Sequence, residues 1–266
     1  MGIDEAGKGC VIGPLVIGVV VWNKENIFEL EKIDVLDSKN YTTKAQKNLR
    51  KNLADQVKTK AENAFIRLLH PEEIDKAIRA NKRSQYNSTS DKMNLNILEI
   101  SEIAKVMIEN PCSKIYVDSL GTPPYFIRTL KEILSKKHSD KISQMVIDKT
   151  DNSLNIMWNN KINNELISKV IAENKADSKY RIVSAASIIA KVYRDKEIRL
   201  IEEKNELDKG ILASGYANNQ LIPFLKKYEN MIKKKRFDFI RYQWNWQPLQ
   251  TIMKPKKGSL KNFIKK

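Results

Sequence analysis

Two carboxylates stand side by side near the start of the chain, in Gly2-Ile3-Asp4-Glu5-Ala6-Gly7-Lys8-Gly9. The segment is otherwise apolar and reads as a β run, where an ionised carboxylate is costly to bury unpaired. Neighbours in a strand point to opposite faces, so Asp4 and Glu5 cannot share one solvated side. A hard divalent cation resolves the cost: Mg²⁺ takes one or two carboxylates together with water and phosphate oxygens. The other reading is an exposed acidic start. A phosphate-binding loop does not fit. Gly2 and Gly7-Lys8 have the right separation, but Gly9 stands where Ser or Thr is needed, and two acids would lie inside the cradle. Asp118 and Asp177 occupy comparable places, one at the exit of a strand and one just before an apolar helix. Ligand sites of open α/β sheets gather at the carboxyl ends of strands, which gives four carboxylates a place to converge. Taken singly, each reads equally well as a cap or a turn residue.

Such a site needs a sheet to hold it. Residues 2–22 read as two short β runs joined around Gly7-Lys8-Gly9, with Val and Ile crowding 16–21 as in a strand buried on both faces. Residues 44–60 form a basic amphipathic helix behind Thr42 and Thr43, with Leu49, Leu53 and Val57 as its apolar stripe. A strand over 64–69 and a helix opened by Pro71-Glu72-Glu73 follow. The pattern then predicts a helix over 91–109, a strand over 114–117 and a helix from Pro123-Pro124 to 137. Strands over 142–147 and 166–173 and a helix dense in small residues over 183–194 complete it. The Asn-rich stretch 151–164 is a loop or a short helix. The alternation predicts an α/β fold with a mixed or mostly parallel sheet flanked by helices. Beyond residue 209 the style changes. The expected division is a catalytic domain over 1–209, a small C-terminal helical module over 210–250, and a basic tail over 251–266.

The chain has 266 residues, of which 41% are hydrophobic, enough to bury a core. Lys and Arg number 48 against 32 Asp and Glu, a net charge of +16, which points to nucleic acid or an anionic membrane surface. Residues 226–266 hold 13 basic and 2 acidic residues, so most of that excess sits at the end. Two cysteines, Cys10 and Cys112, do not make a disulfide framework or a four-ligand zinc site. Two histidines, His70 and His138, leave little for imidazole catalysis. The longest apolar run, 11–22, is broken by Gly13, Pro14 and Gly18 and falls short of the ~20 residues that span lipid. A cytoplasmic monomer with no membrane contact is the expectation.

Taken in order, the motifs carry a resemblance. Gly2 to Gly9, Asp37-Ser38-Lys39, Val117-Asp118-Ser119, Lys175-Ala176-Asp177, the run from Val183 to Lys191, Arg194-Asp195 and Ser214-Gly215-Tyr216 resemble ribonuclease HII. The archaeal and eukaryotic branch fits better than the bacterial one. The resemblance implies an RNase H-like mixed sheet and a metal-dependent endonuclease. Such an enzyme cuts the RNA strand of RNA/DNA hybrids and nicks duplex DNA 5′ of an embedded ribonucleotide. It implies Asp4, Glu5, Asp118 and Asp177 as the catalytic, metal-binding carboxylates. Gly7, Lys8, Gly9, Lys39, Ser184 and Tyr216 are implied as substrate contacts, with Tyr216 against the sugar at the RNA–DNA junction. The residues' own chemistry agrees, because phosphodiester hydrolysis without His is served by two Mg²⁺ or Mn²⁺ ions ~3.5–4 Å apart. Asp4 is the expected bridging ligand. The products are a 3′-OH and a 5′-phosphate, with the 2′-OH read rather than used. The alternative is a protein of the same fold that holds hybrids without cutting.

Several positions depart from the family pattern. Lys8 replaces the usual Arg, keeping the charge without the planar fork. Asn174 stands where relatives often carry His, Ala217-Asn218-Asn219 replaces Pro-Ser-Asp, and residues 142–164 read as an insertion. Lys233-Lys234-Lys235-Arg236, with Arg241, Tyr242, Trp244 and Trp246, is a candidate grip on a phosphate backbone. Leu260, Phe263 and Ile264 resemble a degenerate sliding-clamp-binding box, with Lys257 where Gln is usual; the other reading is a plain basic end.

Overall fold

The structure is a computed structural model that describes residues 1–33, 35, 44–84, 94–159 and 166–254. The strands are β1 (Gly2–Ala6), β2 (Leu15–Val21), β3 (Asn63–Leu69), β4 (Lys114–Asp118), β5 (Ile142–Asp148), β6 (Ser153–Trp158) and β7 (Ile167–Glu173). The helices are α1 (Ile27–Lys32), α2 (Lys44–Lys60), α3 (Pro71–Ser84), α4 (Leu95–Glu109), α5 (Pro123–Lys137), α6 (Ala176–Lys179) and α7 (Arg181–Lys204). They continue with α8 (Ile222–Lys227), α9 (Glu229–Lys233) and α10 (Gln247–Met253).

The strands form a seven-stranded mixed sheet in the order β3-β2-β1-β4-β7-β6-β5. The pairs β1–β4 and β4–β7 are parallel, and the other four are antiparallel. The three central strands therefore run the same way, and their carboxyl ends deliver Asp4, Glu5 and Asp118 to one edge. Alternation along the central strands feeds two cores. Ile3, Ile17 and Val19 pack with α4 and α5 on one face. Val20 and Trp22 pack with α2 and α7 on the other. Pro at the start of α5 and the Thr122 cap, which accepts the amide of Tyr125, set that helix where the sequence expects it.

The small residues of α7 let it lie almost on the strands. A Cβ built on Gly18 would sit 2.3 Å from the carbonyl oxygen of Ala186, and one on Gly2 would sit 2.3 Å from that of Ile182. Gly18 is the register partner of Asp4. The missing side chain thus brings the helix down beside the carboxylate.

Three expectations change. Residues 153–158 are a strand, paired on both sides, rather than a loop or helix. Leu154, Ile156 and Trp158 all face the core, an alternation that the Asn content masks. Helix α4 begins at Leu95, capped by the side chain of Asn94. Leu49 is 48% exposed, whereas Leu53 and Val57 are buried. Steps of four residues drift about 40° around a helix, which carries Leu49 off the stripe.

The segment expected as a C-terminal module builds its core jointly with Val11 and Ile12 of the β1–β2 connection and Ile198 of α7. Phe224, Tyr228, Phe237 and Phe239 cluster within it, with ring centroids 4.8–6.1 Å apart. Backbone bridges join Cys10 to Tyr216 and Ile12 to Ile240. Lys233 to Arg236 are exposed, but Arg241 is fully buried, which corrects its expected place on a phosphate-gripping surface. Trp244 and Trp246 pack partly against the same cluster. No helix among the described residues is long and apolar enough to cross a membrane.

Gly18→Ala is expected to lift α7 and to destabilise the protein by about 1–3 kcal/mol. A lower urea midpoint with an unchanged slope would show it, and an unchanged midpoint would show that the helix has room.

Candidate active site

Asp4 is 6% exposed and Asp177 is 8% exposed. One carboxylate oxygen from each of Asp4, Asp118 and Asp177 lies within 4.8 Å of the others. Asp118 is the last residue of β4, one step beyond the pair that Val117 makes with Ile3 of β1. Its Oδ1 accepts the amide of Ala176 at 3.1 Å. The chain between β7 and α6 turns through Lys175, whose φ is +58°. Asp118 therefore anchors the turn that presents Asp177, and three acids distant in sequence meet at one edge of the sheet.

Glu5 stands beside this trio. Asp4 leans toward α7. There, Lys191 Nζ donates to Ser187 Oγ at 2.7 Å, and the Ser187 hydroxyl is hydrogen-bonded to the Asp4 carboxyl. Glu5, one residue on, belongs to the opposite face, where Glu99 of α4 is its strongest charged neighbour. Burial pushes the Asp4 carboxyl well above its ordinary range, helped by the charges of Glu5 and Asp118, with Ser187 and Lys191 pulling the other way. Burial also pushes Glu5 up to about 7, reinforced by Glu99 and Asp118 and opposed by Lys8. Acids that resist ionising in the bare site are the ones a divalent cation would relieve. The donor set, all hard oxygen and partly desolvated, fits Mg²⁺ or Mn²⁺.

The glycine loop after β1 is held from several sides. Gly7 has φ +87°, a left-handed turn, and a Cβ there would meet the carbonyl oxygen of Pro14 at 3.1 Å. The Lys8 ammonium donates to Asn96 Oδ1 at 2.8 Å and to Glu99 Oε2 at 2.9 Å. Its side chain is thus committed to α4. Gly9 is exposed, and a Cβ on it would lie 3.6 Å from the Tyr216 ring. That ring is 41% exposed and sits 4.9 Å from the guanidinium of Arg194. Arg194 is itself buried and donates to Cys10 Sγ at 2.9 Å.

One expected substrate contact is not on this surface. Ser184 is 2% exposed and its hydroxyl donates to the carbonyl of Val35, which leaves it no surface for substrate. Lys39 lies outside the described residues, as do Leu260, Phe263 and Ile264. Four other residues at the site carried a weak signal in the sequence. Ser187 and Lys191 are four apart on the small-residue, apolar half of α7, and Asn96 and Glu99 interrupt the apolar stripe of α4. Glu99 is 0% exposed, and its Oε1 has no hydrogen-bond partner among the described residues.

Comparison with known proteins bears on this arrangement. The family model for ribonuclease HII matches residues 1–146 and 126–247. Ribonuclease HII of Pyrococcus furiosus is 34% identical over 271 residues, covering 100% of this chain and 98% of the relative. That of Pyrococcus horikoshii is 32% identical over 268 residues, covering 99% and 98%. Among solved structures, ribonuclease H2 from Pyrococcus horikoshii OT3 aligns with a TM-score of 0.66 at 31% identity, covering 96% of this chain and 98% of that one. A complex of PCNA with RNase HII from Archaeoglobus fulgidus aligns at 0.63 and 28% identity, covering 98% of each.

The raised Glu5 carboxyl has a consequence for stability. Its folded value of about 7 exceeds the ordinary 4.5, so the metal-free folded state holds the proton more tightly than the unfolded chain. Stability contributed by that proton is present at low pH and is lost as pH rises through about 7, a change of ~3 kcal/mol. Glu5→Gln is therefore expected to melt higher than wild type at pH 8 in EDTA and to match it near pH 4. Equal melting temperatures at pH 8 would contradict this.

Proposed function

The chain belongs to the ribonuclease HII family and is a type 2 ribonuclease H. On that premise we propose that it hydrolyses the RNA strand of RNA/DNA hybrids and nicks duplex DNA on the 5′ side of an embedded ribonucleotide. The observation that carries the reading is the meeting of Asp4, Asp118 and Asp177 within 4.8 Å, with Glu5 adjoining. Asp4, Glu5, Asp118 and Asp177 would hold two Mg²⁺ or Mn²⁺ ions. When bound, such a pair supplies a nucleophilic water at neutral pH and neutralises charge gathering on phosphate and leaving oxygen.

The rest is done by the protein's own groups. Ser187 and Lys191 orient Asp4 and favour its ionised form. Asp118 holds the α6 turn so that Asp177 stays in reach. The exposed Gly9 backbone and the Tyr216 ring lie side by side as a platform for a sugar. Backbone groups there can read the 2′-OH, the feature that separates RNA from DNA. Water adds to phosphorus and the bond to the 3′-oxygen of the upstream sugar breaks, leaving a 3′-OH on that sugar and a 5′-phosphate on the ribonucleotide, whose 2′-OH stays intact. A protein that merely held hybrids would gain nothing from clustered carboxylates facing phosphates, since like charges repel.

The net charge of +16 suits a nucleic-acid substrate. The Archaeoglobus neighbour is described as a complex with PCNA, which supports a sliding clamp as partner, docked through Leu260, Phe263 and Ile264 of the tail.

A duplex carrying one ribonucleotide tests the reading. Wild type should nick it 5′ of the ribonucleotide in Mg²⁺ or Mn²⁺ and not in EDTA, and Asp118→Asn should lose at least about 100-fold in rate. A wild type that leaves the duplex intact in both metals, or products ending in a 2′,3′-cyclic phosphate, would overturn it.

A further inference from the structure

The peptide between Lys8 and Gly9 is gripped from inside by a buried cation. Arg241 is 0% exposed. Its Nη1 donates to the carbonyl of Lys8 at 3.0 Å and its Nε to the carbonyl of Gly13 at 3.1 Å. Its own amide donates to the carbonyl of Val11 at 2.8 Å. The guanidinium lies 5.5 Å from the Trp244 ring, and its Nη2 has no hydrogen-bond partner among the described residues. A buried charge of this kind is a costly way to fill a core, since an apolar side chain of similar volume often packs as well or better.

What the charge accomplishes is visible in the loop. A trans peptide is planar, with its C=O and the following N–H pointing in opposite directions. No peptide bond among the described residues is cis. Drawing the Lys8 carbonyl inward therefore turns the Gly9 N–H outward. Gly9 is exposed there, the Tyr216 ring lies against it, and its amide donates to no other backbone group among the described residues. The Lys8 side chain is tied separately to Asn96 and Glu99. The two ties leave the peptide plane no freedom to flip.

We propose that Arg241 is a positioning residue that acts through the Lys8–Gly9 peptide, fixing its plane so that the Gly9 amide faces the ribose of the substrate. This rests on the reading of Gly9 and Tyr216 as the sugar platform. Arg241 sits far along the chain and touches no substrate atom; it acts on the loop from behind.

Arg241→Lys keeps the charge but lacks a fork that spans two carbonyls. Its kcat/KM on a duplex with one ribonucleotide should fall by about 100-fold, the scale of a misplaced reacting group. Its Kd for an all-DNA duplex of the same length should stay within about twofold, since backbone charge contacts are untouched. Added guanidinium ion should restore part of the activity of Arg241→Ala. Arg241→Lys that cuts like wild type, or that loses all-DNA affinity in proportion to activity, overturns the proposal. Should both variants fail to fold, amide exchange in the wild type decides. The Gly9 N–H should exchange fast in the free protein and become protected by the ribonucleotide duplex in EDTA, and not by the all-DNA duplex. A Gly9 amide already protected in the free protein, or indifferent to the ribonucleotide, also overturns it. A wild type that leaves the ribonucleotide duplex uncut removes the functional reading instead, and the exchange of Gly9 in free Arg241→Lys still reports whether Arg241 sets the loop.

Discussion

Carboxylates crowded into a partly desolvated corner repel one another, and only a cation relieves all of them at once. That constraint explains most of what surrounds the sheet edge. Asp4 and Glu5 resist ionisation chiefly because they are buried, and each feels the other acids in addition. The protein supplies some relief of its own. Lys191 reaches Asp4 through Ser187, and Lys8 offsets the Glu5 and Glu99 side.

Packing makes this corner possible. The helix α7 approaches the strands where Gly2 and Gly18 lack side chains, and Gly18 is the residue paired with Asp4. Helix and carboxylate are thus placed by one close contact. The C-terminal segment contributes in a different way. It shares its core with Val11 and Ile12, and its backbone bridges hold the loop between β1 and β2 from outside the sheet. A region that looks like an appendage in the sequence therefore shapes the loop next to the clustered acids.

The parallel centre of the sheet and the places of Asp4 and Asp118 on its strands were legible in the chain, because strand ends and the order of short motifs are local patterns. Other features were not. The strand β6 hides in an Asn-rich stretch whose alternation is clear only once Leu154, Ile156 and Trp158 are seen facing one core. Ser184 and Ser187 lie three apart on the same helix, and nothing in the sequence tells which one meets Asp4 and which meets Val35. Arg241 follows a run of lysines, so its composition speaks for the surface while its position is the core. Glu99 resembles any helix acid until its burial and its pairing with Lys8 are known. In each case the missing information is three-dimensional: which face a residue takes is settled by partners far along the chain.

The central claim is that Asp4, Asp118 and Asp177 close around divalent ions. Anomalous diffraction from crystals soaked in Mn²⁺ tests it most directly. The account expects Mn²⁺ peaks bound by carboxylate oxygens of these three residues, and their loss in Asp4→Asn crystals. Mn²⁺ bound elsewhere, with this corner empty at saturating metal, would contradict it.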